Sequence, residues 1–121
     1  MSRHVELIQT IERDFGARLL TAPQLTQDAL TLMLDNGVVL TVRYAAADAY
    51  SLRWQGNAGV ELGIDTAPTH PDLATRPNHL HLADGRVVAD PLTRPDACPA
   101  ANLAAVVEAL LRDPQLTEWL A

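Results

Sequence analysis

Three of the four histidines, His70, His79 and His81, fall within twelve residues, downstream of Asp65 and on either side of Arg76. Imidazole has an unperturbed pKa of about 6.5, so it serves as acid, base or metal ligand near neutral pH. One residue separates His79 from His81. On an extended backbone both rings therefore leave the same face, with Cα atoms about 7 Å apart, and can converge on one ligand. Three readings fit these residue types. In acid–base phosphodiester chemistry one imidazole removes a proton, a second donates one, and Arg53 or Arg76 stabilises charge on the phosphate. As a metal centre, His79 and His81 form a His-x-His pair completed by His70 and Asp65, a nitrogen and oxygen set suited to zinc or another divalent first-row metal. As a structured loop, the histidines bond backbone carbonyls and Asp65 caps the turn after its strand. His4, alone on the first helix, reads as a surface residue outside any site.

The elements that must hold these residues are legible on both sides of them. Val5, Leu7, Ile8 and Ile11 recur at near-helical spacing, which predicts an amphipathic helix over residues 3–14 with Gly16 as its stop. Residues 18–25 are apolar but contain Pro23, which suits an edge strand or a connector. Two β-rich runs, 29–34 and 38–44, flank Asn36-Gly37, the strongest short hairpin signal. Runs at 50–54 and 60–65 extend this into a four-strand antiparallel meander, and the alternation of Tyr50, Leu52 and Trp54 puts Ser51 and Arg53 on the opposite face. Pro68, Pro71 and Pro77 then stiffen a long connection that can hold side chains in place. Residues 78–82 and 86–89 around Asp84-Gly85 predict a last short hairpin, and residues 100–112 a helix with Leu103, Val106, Val107, Leu110 and Leu111 on one stripe before Pro114. The expected fold is α+β, an antiparallel meander of four to six strands with N-terminal and C-terminal helices on one face. The other face is then polar, paired in a homodimer, or a binding surface.

Composition narrows the function classes. At 121 residues with 48% apolar content, residues 1–121 read as a single domain with its own core. A formal charge of −6 argues against a broad basic surface, yet every one of the nine basic residues is Arg, the side chain that forks onto phosphate, which makes Arg53, Arg76, Arg86 and Arg94 candidates. The lone Cys98 forms no internal disulfide and reads as a small buried hydrophobe in a reducing compartment. No run approaches the roughly 20 apolar residues that span a bilayer, and the charged N-terminus lacks a signal pattern, so no membrane and a cytoplasmic location are expected.

Tyr50 and Trp54, then Asp65-Thr66-Ala67-Pro68-Thr69-His70, then Arg76-Pro77-Asn78-His79-Leu80-His81 resemble the TumE-like family of bacterial toxin–antitoxin toxins. The resemblance covers roughly residues 28–112 and retains Asp65, Pro68, His70, Pro77, His79 and His81. It departs at Thr69 and Asn78, where family members carry further histidines. It implies a toxin with a cognate antitoxin, a helix-turn-helix protein, and an RNA target. The reading that follows is a small metal-independent ribonuclease without cofactor, with His79, His81, His70 and Asp65 catalytic and Arg53 and Arg76 on substrate. A divalent metal at His70, His79 and His81 is the alternative cofactor assignment. The alternative function is a non-catalytic interaction protein that binds a partner or itself through its polar sheet face.

Overall fold

Leu7 and Ile11 lie one helical turn apart and are both buried, which sets the inner face of α1 (Arg3–Phe15). The computed structural model describes residues 3–56, 59–67 and 77–117. After a 3₁₀ turn at Gly16–Arg18 come β1 (Gln24–Leu25), β2 (Leu30–Met33), β3 (Val39–Ala46), β4 (Ala49–Gln55), β5 (Glu61–Asp65), β6 (His79–His81) and β7 (Val87–Ala89), then α2 (Pro99–Arg112). The strands pair in chain order as one antiparallel sheet. Among the described residues no helix is long and apolar enough to cross a membrane.

Among the described residues the sheet has seven strands, not four to six. The meander does not stop at β5: the terminal hairpin pairs with it through β6, and two residues after Pro23 add an edge strand on β2. Pro23 lacks an N–H for the ladder, which suits so short an edge element. At the Asn36-Gly37 turn Gly37 takes φ 90°, a conformation that costs other residues far more. Asn36 also reaches away from its hairpin, and its Nδ2 donates to the Leu110 carbonyl at 2.8 Å, satisfying an end group of α2.

Period-two alternation divides the sheet. Leu40, Val42, Leu52, Trp54, Leu62, Ile64 and Leu80 point to one face and are buried, and both helices contribute to the same cluster through Leu7, Ile11, Leu103, Val106 and Leu110. Both helices thus cover one face, as the patterning requires. The Trp54 indole N–H donates to the Pro114 carbonyl at 2.8 Å and pins the turn after α2 to the sheet. The opposite face carries Thr41, Arg43, Ser51, Arg53, Gly63, Asp65, His79 and His81, with register partners Arg43↔Ser51, Thr41↔Arg53, Arg53↔Gly63 and Ser51↔Asp65.

Two local expectations are corrected. His4 is buried, and its Nε2 accepts the backbone N–H of Tyr44 at 3.1 Å, because β3 runs on past Val42, its last residue paired with β2. Cys98 is exposed, as the extended residue that precedes α2, since Pro99 starts the helix and leaves the thiol outside its apolar stripe.

Candidate functional site

Asp65 ends β5 and lies directly opposite His79, which begins β6, while Gly63 lies opposite His81. Side chains two residues apart share a face, so Asp65, His79 and His81 all project from the face that the helices leave uncovered. They meet there. His79 Nε2 lies 2.9 Å from Asp65 Oδ1, His81 Nε2 lies 3.0 Å from Asp65 Oδ2, and the two Nε2 atoms lie 3.0 Å apart. The rings meet edge to face, with centroids 4.7 Å apart.

Exposure grades the three. The His79 side chain is 2% exposed, Asp65 24% and His81 45%, so His81 is the member a large substrate can reach. The Pro77 carbonyl lies 3.1 Å from His79 Nδ1 and only accepts, so Nδ1 carries the hydrogen. In the neutral ring Nε2 is then a lone pair aimed at a carboxylate oxygen. Asp65 is fixed from its own side too, because Oδ1 accepts the Ala67 N–H at 3.0 Å.

Thr41, Arg53, Gly63 and His81 lie in register across β3 to β6. Strands are about 4.8 Å apart, so Arg53 and His81 flank Gly63 with Cα atoms about 10 Å apart. A Cβ at position 63 would sit 3.3 Å from both Arg53 Cγ and the Leu52 carbonyl oxygen, so the missing side chain is what opens the floor between them. Arg53, Glu61, Gly63, Asp65 and His81 border a cavity of about 190 Å³. A second cavity of about 250 Å³ adjoins it through Arg53 and Glu61 and extends to Arg43. Glu61 holds Arg53 only loosely, at 3.7 Å. A larger cavity of about 600 Å³ lies between Phe15, Leu92 and Leu111 and contains none of these groups.

The opposite side of β6 is tied down independently. Asn78 precedes His79 and points the other way, where its Nδ2 donates to Asp90 Oδ2 and to the Thr93 carbonyl, both at 2.9 Å. Asp90 Oδ1 accepts the N–H groups of Leu92 and Thr93 at 2.8 and 3.1 Å, and Oδ2 also accepts the Thr93 hydroxyl. With that proton committed, the Tyr50 hydroxyl donates to Thr93 Oγ1 at 2.7 Å. Burial raises the Tyr50 hydroxyl above its ordinary pKa, with the Thr93 bond opposing, so it remains an O–H donor.

Among the residues singled out in the sequence, Asp65, His79, His81 and Arg53 come together on one face. His70, Arg76 and Thr69 lie outside the described residues. Arg86 and Arg94 pair with Asp84 and Asp96 in their own turns, at 2.8 Å in each case, away from the cluster. Arg43 joins Arg53 on the cluster's face with no motif to mark it; the signal that places it on the same face as Thr41 is parity along the strand.

A family model described as Toxin TumE matches residues 5–119. The chain belongs to this toxin family. The match begins in α1 and runs past α2, so the whole sheet, α2 and all of α1 but its first two residues fall inside it, beyond the 28–112 of the motif resemblance. Neither the curated proteins nor the solved structures contain a match. Membership makes the protein the toxin of a toxin–antitoxin pair, with a cognate antitoxin as its partner.

Proposed function

We propose that this toxin cleaves RNA in the cytoplasm, on the uncovered sheet face, with the Asp65–His79–His81 cluster as its reacting centre. The observation that supports this best is the row Arg53–Gly63–His81, which sets a guanidinium and an exposed imidazole on either side of an open floor. Arg53 binds a bridging phosphate through its planar fork, and Arg43 extends the cationic track along the strand direction. Collecting two Arg on one face is how an acidic chain of net charge −6 can meet a polyanion. His81, reachable from solvent, meets the phosphate and its attacking 2′-hydroxyl. His79 is sealed and acts as a positioning residue with Asp65, fixing the tilt of the His81 ring and the charge beside it.

The test is induced expression of the wild-type toxin beside His81→Ala and Arg53→Ala, with growth followed and purified proteins incubated with total RNA. His81→Ala is expected to lift the growth arrest and to abolish cleavage while keeping the wild-type circular dichroism spectrum. Arg53→Ala is expected to weaken cleavage in a salt-dependent way. A folded His81→Ala protein that still cuts RNA and still arrests growth removes this centre from the chemistry. The antitoxin in this reading is a helix-turn-helix protein, and co-expressing such a neighbouring reading frame is expected to restore growth.

A further inference from the structure

We propose that Asp65, His79 and His81 bind one divalent first-row transition-metal ion, of the class to which zinc belongs. The inference concerns what the cluster takes up, and it does not depend on RNA being the substrate.

Three electron-pair donors converge here with little hydrogen to share. His79 Nδ1 keeps its proton for the Pro77 carbonyl at 3.1 Å, so His79 Nε2 presents a lone pair to Asp65 Oδ1 at 2.9 Å and to His81 Nε2 at 3.0 Å. A single N–H on His81 Nε2 can serve its contact with Asp65 Oδ2 or with His79, and the contact between His79 and Asp65 still sets lone pair against anion. A positive charge between the three, either a metal ion or a proton that makes one ring an imidazolium, relieves the conflict, and the ligand atoms of Asp65, His79 and His81, all within 4.8 Å of one another, have the spacing to hold an ion. Ring nitrogens and a carboxylate suit zinc, cobalt, nickel or iron in the divalent state better than calcium or magnesium, which prefer all-oxygen shells.

The supporting shell has the form that metal-binding histidines show. A ligating imidazole donates its other ring N–H to a carbonyl or carboxylate, which fixes the tautomer that leaves the coordinating nitrogen free. Pro77 provides that carbonyl for His79. Asp65 is oriented by the Ala67 N–H at 3.0 Å, and both strands carrying the ligands sit in register within the sheet, so the triad is assembled before any ion arrives. Two nitrogens 3.0 Å apart, each at the usual 2.0–2.1 Å from an ion, subtend about 90° there; a tetrahedral site would need a separation of about 3.4 Å. The triad thus favours adjacent positions of a higher-coordinate ion. Three protein ligands leave positions open, and since Asp65 and His81 border the cavity shared with Arg53, those positions open towards it. Water or a phosphate oxygen fits there.

The test uses the full chain, stripped with EDTA and dialysed, titrated with zinc chloride by calorimetry and with cobalt chloride by visible absorption. One ion per chain is expected, with cobalt bands of nitrogen and oxygen ligation, and a melting temperature that rises on adding zinc. His81→Ala and the isosteric Asp65→Asn are both expected to weaken zinc binding by at least about tenfold and to lose the zinc-dependent rise in melting temperature; circular dichroism shows that each remains folded. No uptake by the wild-type chain overturns the proposal, and so does uptake that both variants retain in full, which would place the ion elsewhere. The RNA assay separates this from the proposed function. Zinc uptake without RNA cleavage leaves the metal site standing and removes the substrate, whereas cleavage by a stripped chain that takes up no zinc does the reverse.

Discussion

Replacing Asp90 by Asn tests whether the polar network behind β6 holds the site in place. Asp90 is 4% exposed, and its Oδ2 accepts two hydrogen bonds, from Asn78 Nδ2 and from the Thr93 hydroxyl. An amide keeps the shape but puts an N–H₂ at one of the two oxygen positions. With that group at Oδ2, the Thr93 hydroxyl can turn and accept, but Asn78 Nδ2 then faces a second donor at the 2.9 Å separation it now holds from an acceptor. With the amide reversed, the N–H₂ faces the backbone N–H groups of Leu92 and Thr93, 2.8 and 3.1 Å away, which is worse. Either way a donor meets a donor and the remaining bonds lose their charge assistance. A bond to a charged group contributes about 1.5–3 kcal/mol and an unmet buried donor costs about 1–3 kcal/mol, so the expected loss is about 3 kcal/mol. For a chain of this length that lowers the melting temperature by about 10 °C.

Urea unfolding reads this as a fall in the midpoint at an unchanged slope. Thr93→Val removes the hydroxyl between Tyr50 and Asp90, and the two changes together are expected to cost about 1 kcal/mol or more less than their sum, since they break the same network. Asn78 directly precedes His79, so RNA cleavage and zinc uptake by the folded Asp90→Asn chain are expected to weaken even though the substitution lies on the far face of the sheet. A stability loss below about 1 kcal/mol, or strict additivity with Thr93→Val, refutes the network as an anchor of the site.

Gly63→Ala separates shape from stability. The added methyl gains strand entropy worth about 0.5–1 kcal/mol and meets Arg53 Cγ and the Leu52 carbonyl at 3.3 Å, so unfolding free energy is expected to stay within about 1 kcal/mol of wild type, while RNA cleavage and growth arrest fall because the floor between Arg53 and His81 is filled. Trp54→Phe removes the indole donor to Pro114 and is expected to cost about 1–2 kcal/mol in urea unfolding, with earlier proteolysis after α2. Arg18 bonds Asp35 through two nitrogens and holds its carboxyl below the usual carboxylate pKa. A depressed carboxylate stabilises the fold above its unfolded pKa and loses that contribution as pH falls through the folded one, so the small advantage of wild type over Asp35→Asn should begin to fall near about pH 4, disappear as pH drops through the lowered folded pKa, and shrink with added salt.

What could be read from the sequence divides along the range of the interactions. The Asn36-Gly37 hairpin, the alternation of β4 and the apolar stripe of α2 are local, and each stands where its pattern put it. The shared face of His79 and His81 is also local, since parity alone demands it. Asp65 is different. Whether it meets those rings depends on the register of β5 against β6, set across a proline-rich connection, and a slip by one residue would have sent its carboxylate into the core. His4 was unreadable for a related reason: its role arises because eight-residue β3 outruns four-residue β2, and strand lengths become comparable only once the partners are known. Asn78 shows what parity offers when it is carried through. Taken as a lost histidine it subtracts from the site, but as the neighbour of His79 on a strand it must face the other way, and there its amide bridges Asp90 and Thr93. A histidine at this position would face the same buried pocket, not the side of the sheet that carries the triad. The departure at position 78 therefore changes how β6 is anchored and leaves the triad on the opposite face intact.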